Sequence, residues 1–357
     1  MTEIRGVWLA NRPHSQVLAS KQNIAEAMDF LQQQGFNLIF PVVWNRGYTL
    51  FPSQVMANYS FPVIEPFYDS QSRDPLAEVI TEAHQRNIAV IPWFEYGFAA
   101  SHLASGGHIL QSQPHWKAIA FNGEVVKHGG LMWMNAFNPE VQQFMLDLIL
   151  EVVTKYNVEG IQGCDRLPAL PVAGGYNEET IKLYQAEFGI KPPRNPSNQK
   201  WIQWRATLLT DFLAQIYQQV KAVNPQLIIS LSPAVYPFCL NNLLQDTKTW
   251  LTRGIVDLLH PQIYRSSFGG YRHEVKQIKQ IFPANSLSKF SPGIAFTANN
   301  QELTIHDLLQ CIQLNRASGF RGQVFFHYEG LRKNNNAVAT ALCQFSGYDQ
   351  VAFFPFN

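Results

Sequence analysis

Short apolar runs alternate with longer amphipathic stretches along the whole chain of 357 residues. Most of the short runs are nearly continuous in apolar residues, which is typical of parallel strands covered on both faces. Parallel strands need a crossover between them, and that crossover is usually a helix. The pattern therefore predicts an α/β fold whose strands are residues 4–10, 37–44, 88–96, 158–164, 226–234, 256–264, 289–296 and 322–329.

The stretches between these runs carry helix-start signals. Asp74-Pro75 and Asn138-Pro139 each place a capping side chain before a proline at the first helical position. Thr304 with Asp307 resembles a capping box. These signals predict helices that begin near residues 75, 139 and 305.

Eight strand–helix units predict a (β/α)8 TIM barrel, which typically needs about 250 residues. The surplus falls in long βα loops at 45–73, 97–137 and 165–200. No proline- or glycine-rich linker divides the chain, so we expect one domain over residues 1–357. An open doubly wound sheet is the alternative fold, but no GxGxxG follows the first strand.

Charge and hydropathy argue against two classes of partner. The formal net charge is +1 and no Lys/Arg run is present, so we expect no nucleic-acid partner. No apolar run reaches the roughly 18 residues of a membrane span. Without a visible leader the default expectation is a cytoplasmic protein, or an envelope or secreted one if a leader has been removed. The oligomeric state cannot be read from these features.

Known cofactor and metal motifs are missing from the sequence. The four cysteines are widely spaced without a CxxC pair, and no HExxH, HxH, GxSxG or P-loop occurs. We therefore predict neither a cofactor nor a metal. A metal-dependent hydrolase would have to assemble ligands such as His260, His327 and Asp165 from separate strands.

Three carboxylates follow predicted strands. In a TIM barrel the active site lies where the strands end, and Glu95, Asp165 and Glu329 come at the ends of the third, fourth and eighth. Glycoside hydrolysis needs two carboxyl groups, one acting as acid and the other as nucleophile or base. We predict Asp165 and Glu329 as this pair, with Glu95 as the third candidate and the roles left open. A salt bridge or a helix cap is the structural alternative for each.

Aromatic, amide and imidazole side chains crowd the same strand ends. Rings stack on the C–H faces of sugars, while the hydroxyls need polar partners. The predicted sugar platforms are Trp8, Trp44, Trp93, Trp133 and Tyr264. The predicted hydrogen-bonding residues are Asn11, Asn135, Gln162, His260, Gln262 and His327. For any single tryptophan, burial in the core is an equally good explanation.

Strand alternation assigns directions to these side chains. On the eighth strand, Gln323, His327 and Glu329 share a face, which we expect to point into the barrel mouth. On the fourth strand, Gln162 and Cys164 share the inward face and Asp165 begins the loop.

Several stretches together resemble the glycosyl-hydrolase-like 10 family of predicted barrel hydrolases. They are spread over residues 4 to about 330 and are RGVWLAN, PWFEYGF, LMWMNAFNPEVQQF, VEGIQGCDRLPALP and HPQIY. The family is associated with bacterial envelope glycans, peptidoglycan strands among them, so the resemblance implies an O-glycoside substrate.

One departure bears on activity. The family's fourth strand is similar to DGI followed by two adjacent acidic residues; here Asp165 matches the second and Cys164 replaces the first. The carboxylates and the resemblance predict O-glycosidic hydrolysis of a polysaccharide or cell-envelope glycan. The replacement by Cys164 favours the alternative, a catalytically inactive glycan-binding barrel.

Overall fold

The computed structural model describes residues 2–356 and contains eight parallel strands. A five-stranded and a three-stranded sheet are linked by parallel backbone bridges, Val42–Trp93 and Trp93–Gln162 on one side and Leu259–Phe290 and Gln262–Gly293 on the other. The sheets therefore close into the predicted barrel. Its strands are β1 (Ile4–Leu9), β2 (Leu38–Pro41), β3 (Ala89–Val90), β4 (Gly160–Cys164), β5 (Ile228–Ser232), β6 (Leu258–Leu259), β7 (Gly293–Ala295) and β8 (Gly322–Phe326).

A helix follows each strand and packs outside the barrel. These helices are α1 (Lys21–Gln33), α2 (Pro75–His84), α3 (Pro139–Lys155), α4 (Gln199–Val223), α5 (Thr247–Thr252), α6 (Phe268–Ile281), α7 (Ile305–Ala317) and α8 (Tyr328–Ser346). The predicted caps are confirmed: Asp74, Asn138 and Thr304 each accept a backbone N–H from the first turn of the helix they precede. No helix in the described part of the chain has the length and apolar character needed to cross a bilayer.

All eight strands are shorter than predicted, and β3 and β6, with two residues each, differ most. A proline follows closely after each of these two, Pro92 after β3 and Pro261 after β6, and proline has no N–H for the ladder. Backbone pairing nevertheless resumes beyond them, because Trp93 N donates to Pro41 O over 2.8 Å and Gln262 N to Pro233 O over 2.9 Å.

The long βα loops carry structure of their own. The loop after β2 holds a hairpin of Trp44–Asn45 with Tyr48–Thr49 and the helices Gln54–Asn58 and Pro66–Asp69. The third-strand loop holds an antiparallel sheet of Ala99–Ser101, Leu131–Trp133 and Lys127–His128 and the helix Gly107–Ser112. The fourth-strand loop holds the helix Glu178–Phe188, the fifth the helix Phe238–Leu243, and the seventh a short hairpin of Thr297–Ala298 with Gln301–Glu302.

The barrel interior is filled mainly by rings. Phe326 at the end of β8 lies with its ring centroid 6.0 Å from that of Trp8 and 6.4 Å from that of Trp93. Phe325, its neighbour, instead stacks on Phe296 outside the sheet, with the centroids 5.6 Å apart. Even-numbered residues of β8 therefore face inward.

The inward direction predicted for Gln323 is therefore wrong. Its side chain lies on the outer face, where Nε2 donates to the Tyr348 hydroxyl over 2.7 Å. The C-terminal segment supplies this acceptor behind the sheet, so the buried amide nitrogen has a partner there while an aromatic ring takes the interior.

Candidate active site

The mouth of the barrel lies at the carboxyl ends of the strands, and two of the three predicted carboxylates meet there. Glu95 follows β3 and Asp165 follows β4, and these strands are neighbours in the barrel. Arg166 lies between them, with Nη2 3.7 Å from Glu95 Oε1 and Nε 3.5 Å from Asp165 Oδ1. A guanidinium thus holds two carboxyl groups of adjacent loops near one another.

Glu95 is held by a second polar contact. Nδ2 of Asn45 donates to its Oε2 over 2.5 Å. Asn45 is buried, and its Oδ1 accepts from Nε of Arg46 over 2.8 Å, so the amide is fixed from both sides. Glu95 is therefore held in position by a side chain of a neighbouring loop.

Asp165 is less constrained by hydrogen bonds. Apart from the ion pair with Arg166, its buried Oδ1 has no hydrogen-bond partner among residues 2–356. Its side chain remains about a third exposed, which leaves it open to a ligand in the mouth.

Cys164 ends β4, as predicted, and is fully buried. Its Sγ lies 3.8 Å from the backbone oxygen of Phe94 and contacts that of Glu95 as well. Burial, together with the neighbouring Asp165 carboxylate, raises the pKa of the Cys164 thiol far above its ordinary value. The residue that stands where the resemblance implies an acid is therefore a neutral thiol at physiological pH.

Tyr264, after β6, borders the same cluster. Its ring stacks on Phe326 with a centroid separation of 5.3 Å, and it is partly exposed. Burial and the nearby Asp165 carboxylate raise the pKa of the Tyr264 hydroxyl well above 10. The phenol therefore stays protonated and can donate a hydrogen bond in the mouth.

A second polar network borders the mouth after β1 and β2. Glu65 accepts from Nδ2 of Asn11 over 2.6 Å and from Nη2 of Arg46 over 3.1 Å. Tyr68 donates to Oδ1 of Asn11 over 3.0 Å. Because Arg46 also contacts Asn45, this network is continuous with the carboxylate cluster.

Glu329 lies in the first turn of α8, whose helical geometry is interrupted at residues 333–336. Its Oε2 is 2.7 Å from Nδ1 of His327, the residue that precedes the helix. The structure thus joins these two predicted site residues to each other by a direct hydrogen bond.

Four of the five predicted platforms are buried. Trp8, Trp44 and Trp133 are at most 1% exposed, and Trp93 is 4% exposed. Indole groups with so little exposed face pack in the core, so in this conformation they offer no stacking surface to a sugar. Tyr264 is the predicted platform that reaches the mouth.

The predicted hydrogen-bonding residues are likewise mostly engaged by the protein. Trp8 Nε1 donates to Gln162 Oε1 over 2.6 Å, and Gln162 Nε2 donates to the Ser230 hydroxyl over 3.1 Å inside the barrel. This confirms the inward direction predicted for Gln162. Asn135 is buried, and its Oδ1 accepts the backbone N–H of Phe137 over 3.2 Å.

His260 is fully buried among interior rings. Its Nδ1 is 2.8 Å from the backbone oxygen of Ser291, which identifies the neutral tautomer with the proton on Nδ1. Burial lowers the pKa of His260 to about 4. Gln262 is partly exposed and donates to the backbone oxygen of Ser232 over 2.8 Å.

The long loop after β4 is fastened by a buried arginine. Arg205 on α4 donates to the backbone oxygens of Val172 and Pro196, each over 2.6 Å, and also to that of Gly174. Its guanidinium stacks over the ring of Trp201 at 4.5 Å. Burial lowers the pKa of Arg205 to about 9.

Glu159, the acidic residue at the start of the resembling fourth-strand motif, lies at the opposite end of the barrel. Its Oε2 accepts the backbone N–H of Val90 over 2.6 Å and its Oε1 is 3.2 Å from His84 Nε2. Its role is therefore structural. Within residues 2–356 no three His, Cys, Asp or Glu side chains are grouped so that they could bind a metal.

Sequence reasoning did not single out Glu65, Asn45 or Tyr68 as site residues. Asn45 does follow a strand and could have been found by the rule that located Glu95. Glu65 and Tyr68 lie within a long loop without periodicity, and nothing in its pattern shows that it folds back onto the mouth.

Comparison with known proteins agrees with this architecture. The model of the family Glycosyl hydrolase-like 10 matches residues 3–295. The chain belongs to this family. The match covers every barrel strand except β8 and includes Glu95 and Asp165.

Curated relatives share the family's name but are longer. The chain is 24% identical to glycosyl hydrolase DigH of Escherichia coli K12 in an alignment of 297 residues that covers 73% of this chain and 65% of DigH. It is 26% identical to glycosyl hydrolase YngK of Bacillus subtilis 168, with 74% of this chain and 54% of YngK covered. The chain thus spans less than two thirds of the length of these relatives.

Solved structures share the fold at low identity. The glycoside hydrolase domain of PgaB (BpsB) from Bordetella bronchiseptica aligns with a TM-score of 0.68 at 12% identity, covering 96% of this chain and 99% of that domain. A β-galactosidase from Rahnella sp. R3 aligns with a TM-score of 0.67 at 14% identity, covering 99% of this chain and 57% of the enzyme. The fold is that of TIM-barrel glycoside hydrolases.

Proposed function

We propose that this protein hydrolyses O-glycosidic bonds of a polysaccharide or cell-envelope glycan bound across the barrel mouth. The observation that carries the proposal is the placement of Glu95 and Asp165 on adjacent loops on either side of Arg166. The glycoside-hydrolase-like family and fold support the same reaction class.

The surroundings of the two carboxyl groups suit different roles. Glu95, which accepts a hydrogen bond from Asn45 and lies beside Arg166, is the carboxyl group fixed in position and suits the nucleophile or base. The proton donor is Asp165 or Glu329, the two residues favoured by the sequence. Both are about one third exposed and free to approach a glycosidic oxygen. Tyr264 supplies a protonated hydroxyl beside Asp165.

Turnover on a glycan panel tests the proposal. The panel comprises peptidoglycan glycan strands, β-1,4-linked oligomers of N-acetylglucosamine and of glucose, and an α-glucan. Glu95→Gln should lower the rate about 10²- to 10⁴-fold. A loss of the same size is expected for one of Asp165→Asn and Glu329→Gln, namely the variant that removes the proton donor. Glu124→Gln, an exposed loop residue, serves as the control. Unchanged rates in all three variants would remove these carboxyl groups from the mechanism.

A catalytically inactive glycan-binding barrel is the second candidate, and Cys164 is the observation that favours it. A buried neutral thiol occupies a position where the resembling family has an acid. Measurable glycan binding without product release would support this alternative. Cys164→Asp would then be expected to raise the hydrolysis rate above background, whereas under the hydrolase proposal the parent protein already turns over.

A further inference from the structure

A second cavity opens near the candidate site, at the same end of the barrel. Its volume is about 480 Å³, within the range of roughly 300–1,000 Å³ typical of ligand pockets. It lies between the loop after β5 and the loop that leads from β6 into α6. The residues that define its chemistry are Tyr236, Phe238, Gln262, Arg265, His273 and Glu274.

The cavity combines exposed rings with hydrogen-bonding groups. Phe238 is 51% exposed, although it is a large apolar residue at the start of a short helix. Tyr236 is partly exposed two residues earlier, and His273 on α6 is exposed opposite them. Rings with accessible faces beside amide, imidazole and ionic groups are what a saccharide requires.

The charges of the cavity compensate each other. Nη2 of Arg265 is 2.7 Å from Oε1 of Glu274. Because both members of this pair line the cavity, its wall presents no unpaired fixed charge from them. This favours an uncharged saccharide segment over an anionic ligand such as a phosphate.

One loop contributes residues both to the cavity and to the mouth. Gln262 lines the cavity two residues before Tyr264, which borders the carboxylate cluster. Arg265 then donates from Nη1 to the backbone oxygen of Tyr264 over 3.0 Å. A chain that occupies the mouth can therefore extend over this loop into the cavity.

We propose that this cavity is an outlying subsite for an uncharged segment of a long glycan, with the ring of Phe238 as its stacking surface. The inference rests on the proposed function, because it assigns further sugar units of the same ligand to this place. It implies that affinity increases with chain length and that Phe238 contributes only when the chain is long enough to reach it.

Binding of short and long probes tests the subsite. The probes are β-1,4-linked dimers and hexamers of N-acetylglucosamine and of glucose, titrated by calorimetry into the Glu95→Gln variant so that the ligand is not consumed. Addition of Phe238→Ala should weaken hexamer binding about 3- to 10-fold, as expected for one stacked ring, with a much smaller change for the dimer. His273→Ala should weaken hexamer binding in the same selective manner.

A matched control separates local from general effects. Phe345→Ala removes another exposed phenylalanine, near the C-terminal end of α8 and away from the cavity, and should change neither probe's affinity. Equal hexamer affinity with and without Phe238 would overturn the subsite while leaving glycan binding intact. If neither hexamer bound the catalytic variant that retains Phe238, the proposed function for these β-linked glycans would be overturned, and the subsite with it.

Discussion

Asn45 and Glu95 are joined by a hydrogen bond of 2.5 Å from the amide Nδ2 to the carboxylate Oε2. The two residues come from the loops after β2 and β3, which are neighbouring strands of one sheet, so the contact depends on the pairing of these strands. Arg166 approaches the other oxygen of the same carboxylate, from the loop after β4. Three loops thus fix the position of one acidic side chain.

The first prediction removes this contact. Asn45→Ala should lower kcat/KM for glycan hydrolysis about 10- to 100-fold, because a hydrogen bond to a charged group contributes about 1.5–3 kcal/mol. Steady-state kinetics on the glycan that the parent protein cleaves provide the measurement. Gln143→Ala removes a hydrogen bond of 2.6 Å from Gln143 Nε2 to Asp147 Oδ1 on the surface of α3 and should leave the rate unchanged. Equal rates for both variants would show that Glu95 needs no positioning.

A second prediction concerns the polar pair inside the barrel. Gln162→Leu would leave Trp8 Nε1 and the Ser230 hydroxyl without their partner in a buried layer. We expect a loss of about 2–4 kcal/mol in the free energy of unfolding, measured by urea denaturation. The exposed substitution Gln280→Leu should stay within about 0.5 kcal/mol of the parent protein. A comparably small change at Gln162 would contradict this view of the interior.

A third prediction follows from the lowered pKa of His260, about 4 in the folded protein. An unfolded histidine titrates near 6.5, so between about pH 6.5 and 4 the unfolded chain binds a proton that the folded one does not. As the pH is lowered through this window, His260 should therefore reduce the free energy of unfolding by about 1.4 kcal/mol per pH unit. The total loss by pH 4 should be about 3 kcal/mol.

Urea denaturation at several pH values measures this dependence. His260→Phe should reduce the pH dependence of the free energy of unfolding between about pH 6.5 and 4 by the equivalent of about one bound proton. His306→Phe, at an exposed position on α7, should leave this pH dependence unchanged. An unchanged slope in His260→Phe would mean that another group carries the acid sensitivity.

A fourth prediction uses the cysteines. Cys164, Cys239 and Cys311 are buried, and Cys343 is half-buried. Burial raises the pKa of all four thiols, least for the half-buried one. Because a thiolate must be accessible to react, an aromatic disulfide reagent should label Cys343 first in the folded protein. Peptide mapping gives the site, and Cys343→Ser should abolish the early phase. Rapid labelling of Cys164 would show that the β4 end is open.

Much of the fold was predictable because the barrel depends on period and order. The apolar runs identified all eight strands, and three caps placed the starts of α2, α3 and α7. The direction of Gln323 was not predictable, because its partner Tyr348 comes from a distant segment packed behind the sheet. Local alternation carries no information about which face offers a polar partner.

The candidate site was predictable in part for a similar reason. The strand-end rule located Glu95, Asp165 and Tyr264, whose positions follow from topology. The same rule assigned four tryptophans to the mouth that are buried in the core. A ring at a strand end can turn into the core as readily as into the mouth. Residue type alone does not settle that choice, which depends on how the long loops cover each ring.

The fastening of the loop after β4 by Arg205 has a consequence for ligand recognition. The carbonyl groups that this guanidinium engages are ordered before any sugar arrives, so association need not lose conformational entropy in this segment. Glycan binding should then show a heat-capacity change that scales with the apolar surface covered, without the larger signature of coupled folding. The barrel would meet its ligand with this wall of the mouth already shaped.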